Sequence, residues 1–451
     1  MPMGSSFGYF SFKKSNRIPN KSKFEKVTQL TKQKKMDRIF TKKQTVKREI
    51  QAISSKSEAH RYLICAALGD GECDVHCANT NEDIEATVLC LNALGACITR
   101  TDSGFSVKPI STVTRAAVLE CNESGSTLRF LLPTVCALGA ICRFNMKGRL
   151  ADRPLSPLYE LLEDSGSVLS PKGSNPLSVK GNLTSGEYSI AADVSSQYIS
   201  GMLFALSLCE GESRLRLEGK LESEPYIFMT VDALRAFGAK IEFDSEQKVF
   251  YIKGGARLKT PKCSRVGGDW SNAAFFLCAG AICTHPVTVR GIDKNSRQGD
   301  KEIVEALKKM GAVIEQNSNS VTVYPSKLRG IEIDGSNIPD LIPILAVVAS
   351  VAEGETKIFN ASRLRLKESD RIESVCETLS ALGADIRQTE DGMIIQGKNR
   401  LSGGKVNSHN DHRIAMSAAV ASLVCDGDVI IEGFEAINKS YPTFAENWEK
   451  I

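Results

Sequence analysis

No run in the sequence approaches the roughly 18 consecutive apolar residues that a membrane-spanning helix needs, so an integral helical membrane protein is excluded. There is no C-x-x-C pair and no Cys/His cluster at metal-ligand spacing, and neither a metal nor a cofactor is expected. The fourteen cysteines are scattered, most of them inside apolar runs such as those around Cys65, Cys90, Cys136, Cys209, Cys278 and Cys425. They read as reduced core residues, which places the protein in the cytoplasm. Gly267-Gly268-Asp269 lacks the Lys-Ser/Thr of a nucleotide-binding P-loop, and Asp269 reads instead as a helix cap. Acids are nearly absent from residues 1–36, which hold nine Lys/Arg against the single Glu25, a local charge of +8. Those 36 residues are polar and non-periodic, and a disordered basic extension is expected there. With one arginine and no apolar stretch the extension is not a secretory signal peptide and is a weak transit peptide. The other reading is that Met36 begins the functional protein.

What is present is a large and otherwise ordinary globular chain. Its 451 residues exceed what one core usually serves, so two domains are expected. Without the extension, the net charge of +4 becomes −4, an acidic body ill-suited to nucleic acid.

An internal repeat sets the architecture. Leu-Gly-Ala-Cys-Ile (94–98), Phe-Gly-Ala-Lys-Ile (237–241), Met-Gly-Ala-Val-Ile (310–314) and Leu-Gly-Ala-Asp-Ile (382–386) are copies of one element, and Ser-Gly-Ser-Val-Leu (165–169) is a degraded fifth. Their glycines, at 95, 166, 238, 311 and 383, are spaced by 71 to 73 residues. Each marks an amphipathic helix stopped by glycine and followed by a strand. In phase with it runs a second series of helices, apolar on nearly all sides, starting near Ser57, Ser126, Ser196, Asn272, Asp340 and Asp411. Such helices must be buried.

Six units of about 72 residues result, giving an α/β fold of two domains, each three βαβαββ repeats around buried helices. The sixth unit is cut short by Ile451, and residues 37–54 precede the first unit and can supply its missing strand. The expected division is 55–266 for one domain and 37–54 with 267–451 for the other. Two crossings, near 54–55 and 266, would make a hinge, with the active site in the cleft.

Ser, Asp and Asn at helix starts are ordinary caps. Capping does not explain why Lys56, Arg61, Arg129 and Arg413 crowd the same places. Helix N-termini favour anions, and added cations turn that preference into a phosphate or carboxylate site. An anionic small-molecule substrate is the first functional inference.

The motifs then become specific. Ser55-Lys56-Ser57-Glu58-Ala59-His60-Arg61 is followed by Glu123-Ser124-Gly125-Ser126-Thr127-Leu128-Arg129, by Arg149 with Asp152-Arg153-Pro154, and by Ser195-Ser196-Gln197. Ser223-Glu224-Pro225-Tyr226, Ile338-Pro339-Asp340, Lys367-Glu368-Ser369-Asp370-Arg371, Asn410-Asp411-His412-Arg413 and Lys439 follow in order. Over residues 37–451 this series resembles the 5-enolpyruvylshikimate-3-phosphate synthase family, which implies the enolpyruvyl transferase fold. It also implies transfer of the enolpyruvyl group of phosphoenolpyruvate to shikimate-3-phosphate, on the route to chorismate and the aromatic amino acids, and inhibition by glyphosate. The resemblance implies that shikimate-3-phosphate meets Lys56, Ser57, Arg61, Ser195, Ser196, Gln197, Ser223, Asp340 and Lys367. It gives phosphoenolpyruvate to Lys56, Gly125, Arg149, Gln197, Arg371, Arg413 and Lys439. Asp340 is the expected general base and Glu368 the expected acid at C3, a role Lys56 could share, although the cations beside Glu368 disfavour its acid form. A salt-bridged cap is the structural alternative for both acids. His60 has no expected role, and His412 orients neighbours or touches phosphoenolpyruvate.

Three positions depart from the family pattern: Glu123 for Asn, Phe130 for Pro and Arg363 for Asn. The rival enzyme is the UDP-N-acetylglucosamine enolpyruvyl transferase family, whose opening motif has Lys-Asn where this chain has Lys56-Ser57. A different class is the same fold acting on RNA ends with residues 1–36 as a tether. The expected partners are small molecules only, without nucleic acid or membrane, and the expected state is a monomer.

Overall fold

The computed structural model describes residues 37–41, 47–255 and 257–448. The expected disordered extension 1–36 lies outside them. Six buried helices organise the chain: α1 (Lys56–Ala67), α2 (Gly125–Ala137), α3 (Ser196–Leu208), α4 (Trp270–Ile282), α5 (Ile342–Ala349) and α6 (His412–Ala421). Every residue of α5 and α6 is buried, as their all-round apolar composition requires. Side chains of Ser55, Ser124, Ser195, Asp269 and Asp411 cap five of the six, each accepting a backbone N–H of the first turn. The fourth helix thus starts at Trp270, two residues before Asn272, with Asp269 as its cap. Asp340 caps nothing: α5 begins at Ile342, and Leu341 stands at its cap without a side-chain bond.

The second, third and fifth units each run strand, buried helix, strand, surface helix and two further strands; the first and fourth start at their buried helix, and the sixth stops after its second strand and a short last helix. In the third, Glu187–Ala191 and Glu212–Glu218 pair in parallel on either side of α3. Helix Glu224–Ala236 then leads into the antiparallel hairpin of Lys240–Asp244 and Val249–Lys253. Gly95, Gly166, Gly238, Gly311 and Gly383 all have φ between +78° and +116°, the left-handed region that ends a helix at glycine. The described strands form five four-stranded sheets and one three-stranded sheet.

The sixth unit borrows its strand from the other end of the chain. Arg38–Phe40 pairs antiparallel with Val429–Glu432, while Glu49–Gln51 joins the fourth unit beside Val287–Arg290. Stretch 37–54 therefore serves two units, which the expectation of one missing strand did not separate. Reciprocally, Cys263–Arg265 pairs in parallel with Cys73–His76 of the first unit.

Buried apolar residues fall into two clusters. One spans Ala59 to Val266; the other joins Phe40, Ile50 and Ile53 to the stretch from Trp270 to Trp448. The chain passes between them at two adjacent places, where Ser55 N donates to Gly267 O at 2.8 Å and Asp269 N to Ile53 O at 2.8 Å. The cysteines are free thiols, and burial pushes Cys136 up to about 12, so it packs as a small apolar group. No helix among the described residues is long and apolar enough to cross a membrane.

Candidate active site

The N-termini of α1, α2, α3 and α6 open onto one cavity, lined by Lys56 and Ser57, Gly125 and Ser126, Ser196 and Gln197, and His412 and Arg413. In the first half of the chain, Arg61 is buried and held by three bonds. Its Nε donates to Thr230 Oγ1 at 2.8 Å, Nη1 to Ser57 O at 2.6 Å and Nη2 to Tyr226 O at 2.7 Å. Its guanidinium lies 5.0 Å from the Phe130 ring centre, so the Phe130 departure supplies an aromatic face beneath a buried cation. Arg129 donates from Nη1 to Gln197 Oε1 at 2.8 Å, and Gln197 Nε2 donates to Ser126 Oγ at 3.0 Å, which fixes α3 against α2. Lys56 pairs with Asp83 at 2.8 Å, and its backbone N–H donates to Asp269 at 3.0 Å, joining α1 to the cap of α4.

In the second half, Arg371 is the centre. It is 1% exposed and surrounded by carboxylates: Nη1 donates to Asp340 Oδ1 at 2.7 Å, Nη2 to Glu368 Oε2 at 2.7 Å and Nε to Asp411 Oδ2 at 2.8 Å. Asp340 also meets Arg413 Nη2 at 3.3 Å and Lys367 Nζ at 3.6 Å. Arg153 crosses from the first half, donating from Nε to Leu366 O at 3.3 Å and lying 3.8 Å from Glu368.

The match to known proteins agrees with this arrangement. Residues 40–448 fit the family model described as EPSP synthase (3-phosphoshikimate 1-carboxyvinyltransferase). The chain is 41% identical over 405 residues to a 3-phosphoshikimate 1-carboxyvinyltransferase of Clostridium kluyveri, covering 89% of this chain and 94% of the relative. It is 42% identical over 412 residues to the protein of that name from Clostridium acetobutylicum, covering 90% and 95%. It belongs to the EPSP synthase family. Among solved structures, the EPSP synthase from Acinetobacter baumannii superposes with TM-score 0.76 at 28% identity, covering 92% of this chain and 97% of that one. The enolpyruvyl transferase NikO from Streptomyces tendae shares the fold at 18% identity and TM-score 0.71, covering 90% and 94%. The chain is thus an enzyme of the EPSP synthase family with the enolpyruvyl transferase fold, and the UDP-N-acetylglucosamine rival is not favoured.

The cavity collects Lys56, Ser57, Arg61, Gly125, Ser195, Ser196, Gln197, Ser223, Asp340, Lys367, Glu368, Arg371 and Arg413. Arg149 and Lys439 do not line it. Arg149 is exposed on the short 3-10 turn Gly148–Asp152, and Arg153, one turn further on, faces the cavity instead. Lys439 is buried but bound, its Nζ 2.8 Å from Glu123 and donating to Asn410 O at 2.6 Å. The sequence reading assigned no ligand to Arg129, Arg153, Tyr226 or Arg363, all of which line the cavity. Arg129, Arg153 and Tyr226 stood inside the motifs already noted, and Arg363 stood out as a departure.

Electrostatics holds Asp340 and Glu368 of the cavity in the same charged state. Burial opposes ionisation of Asp340, but Arg413, Lys367 and Arg371 outweigh it and hold the carboxyl well below the usual range. Glu368 is likewise held low against burial, by Arg371 and Arg153 foremost. Burial lowers Arg61 and Arg129 to about 10, which leaves both charged at neutral pH. His412 is buried, and burial with nearby Lys56 holds it well below its ordinary value, so the imidazole is neutral; neither ring nitrogen has a hydrogen-bond partner among the described residues.

Proposed function

We propose that this cavity transfers the enolpyruvyl group of phosphoenolpyruvate to the 5-hydroxyl of shikimate-3-phosphate and releases phosphate. One observation carries the substrate class: eight cationic side chains and three acidic ones line the cavity, a surplus of five positive charges. Two phosphates and two carboxylates bring about −5 to −6 near neutral pH, so the two substrates together neutralise the site.

Shikimate-3-phosphate sits on the first half, its phosphate at Ser195, Ser196 and Ser223 and its carboxylate at Arg61 and Ser57, with Gln197 and Lys367 beside it. Phosphoenolpyruvate takes Arg413, Lys56 and the α2 N-terminus at Gly125, with Gln197. Arg371, whose donors already hold three carboxylates, acts on phosphoenolpyruvate mainly by fixing Asp340 and Glu368. Arg149 joins only by turning inward, and Lys439 only by leaving Glu123.

Asp340 takes the proton of the 5-hydroxyl as its oxygen attacks C2, and Glu368 delivers a proton to C3, with Lys56 the other donor. The tetrahedral intermediate then expels phosphate as C3 returns its proton. In the free site both carboxyls are held ionised by cations. Bound phosphates and carboxylates compete for those cations, which raises both carboxyls toward proton transfer. The reading includes a cytoplasmic monomer that needs no cofactor.

The test is phosphate release from phosphoenolpyruvate by residues 37–451, with and without shikimate-3-phosphate. Release only when that acceptor is present supports the reading. Release driven by a UDP-sugar, or none at all, rejects it.

A further inference from the structure

The three serines assigned to the acceptor's phosphate lie in the first half of the chain. Among the described residues, no cation of that half hydrogen-bonds to any of their hydroxyls. One from the second half does. Arg363, on the 3-10 turn Ser362–Leu366, donates from Nη2 to Ser223 Oγ at 3.0 Å and to Ser336 O at 2.6 Å. Its Nε also pairs with Glu222 of the first half. Arg363, Ser195, Ser196 and Ser223 all line the cavity described above. Ser223 itself holds φ +52°, a left-handed conformation that a serine adopts at a cost and that clusters at functional sites.

We infer that Arg363 is the phosphate-reading cation of the acceptor subsite, and that Glu222 holds its guanidinium until the acceptor's phosphate takes its place. The inference rests on the acceptor being shikimate-3-phosphate. Serine hydroxyls and a helix N-terminus orient a phosphate but carry no full charge against its two. A guanidinium fork supplies that charge with bidentate geometry, which the asparagine common at this position in the family cannot. Because Arg363 comes from the opposite half to the serines, a phosphorylated acceptor ties the two halves together where an unphosphorylated one does not. Discrimination between them then resides in Arg363. The competing account makes Arg363 only a strut, paired with Glu222 whatever is bound.

Calorimetric titration of the purified full chain with shikimate-3-phosphate and, separately, shikimate distinguishes the two. R363Q is expected to weaken shikimate-3-phosphate by at least about tenfold and shikimate by less than about twofold, the loss of a charge-assisted bond confined to the ligand that makes it. R363K, which keeps the charge without the fork, should recover part of the loss. E222Q should bind shikimate-3-phosphate as tightly as the wild type or more tightly, since it removes the competing carboxylate. If R363Q fails to fold, R363K and E222Q carry the same comparison. Equal losses for both acceptors, or weaker shikimate-3-phosphate binding by E222Q, would overturn the inference in favour of the strut. If the wild-type chain binds neither acceptor, the substrate assignment falls, and the role of Arg363 falls with it.

Discussion

Asp340 and Arg371 meet at 2.7 Å, and the same guanidinium holds Glu368 at 2.7 Å from its other terminal nitrogen. One buried arginine thus positions both carboxyls that the proposed reaction needs. Asp340→Asn removes the acceptor of the hydroxyl proton while leaving an oxygen for Arg371. Turnover is expected to fall by about 10²- to 10⁴-fold with KM for either substrate changed far less. Steady-state kinetics check it, and near-normal turnover would recast Asp340 as a strut of the cation cluster.

Glu123 offers a second test, because it occupies Lys439. Its carboxylate lies 2.8 Å from that ammonium and accepts Asn410 Nδ2 at 3.1 and 3.2 Å, linking the two halves. Gly148 makes room for it, since a Cβ there would sit 2.5 Å from the carboxyl group. An anion already on Lys439 competes with any anionic ligand. Glu123→Gln should therefore lower the inhibition constant of inorganic phosphate against phosphoenolpyruvate several-fold. It should also destabilise the free enzyme by about 1–3 kcal/mol, because a buried ammonium loses its charged partner. Weaker phosphate inhibition would mean that Glu123 supports the anion site and does not compete for it.

Much of this was legible from residues alone. The repeat glycines and all-apolar helices reported the units because periodic burial and left-handed helix ends leave periodic marks. Starts of the buried helices were readable to within two residues, since caps use few residue types. The cavity lining was legible where it coincides with helix first turns, as at Lys56, Ser57, Ser196 and Arg413. It was less legible where a long side chain chooses its direction after folding. Arg149 and Arg153 are four residues apart in one motif, yet only Arg153 faces the cavity. Cross-half pairs such as Glu123 with Lys439 leave no local pattern.

Asp300 provides a pH-dependent test. It is fully buried, and its Oδ2 accepts Tyr226 Oη at 3.0 Å from the first half and also the Ser271 hydroxyl, while Oδ1 has no partner among the described residues. Burial, then the nearby Asp340 charge, raise its carboxyl to about 6. An unfolded aspartate titrates near about 3.9. Between these values the folded state binds the extra proton, so the contribution of Asp300 to stability is fully present below about pH 4 and is lost as pH rises through about 6. Asp300→Asn stays neutral throughout. Its unfolding free energy minus that of the wild type should therefore rise between about pH 4 and 6, by about 1–3 kcal/mol, and stay level above. Denaturant titrations at several pH values check this, and a difference that stays flat across the window would show that Asp300 is ionised in the fold.

Gly125 bears on inhibition. The family resemblance implies that glyphosate competes with phosphoenolpyruvate beside this residue, and the geometry says what a side chain here would meet. A Cβ on Gly125 would lie 2.7 Å from Arg129 Nη1 and 3.0 Å from Arg153 Nη1, the ends of two flexible cations and not backbone. Gly125→Ala should therefore fold normally while pushing both guanidinium groups off their present positions. Arg129 is tethered to Gln197 at 2.8 Å and Arg153 to Leu366 O at 3.3 Å, so neither moves freely. Overpacking of this kind costs about 1–3 kcal/mol. Each 1.4 kcal/mol is tenfold in affinity, so glyphosate should weaken by about tenfold or more. Phosphoenolpyruvate is shorter and reaches less far into the displaced wall, so its KM should rise less. The ratio of the glyphosate inhibition constant to the phosphoenolpyruvate KM, measured in both proteins, decides the matter. A ratio unchanged by the substitution would mean that the methyl affects both ligands alike and that Gly125 does not discriminate between them.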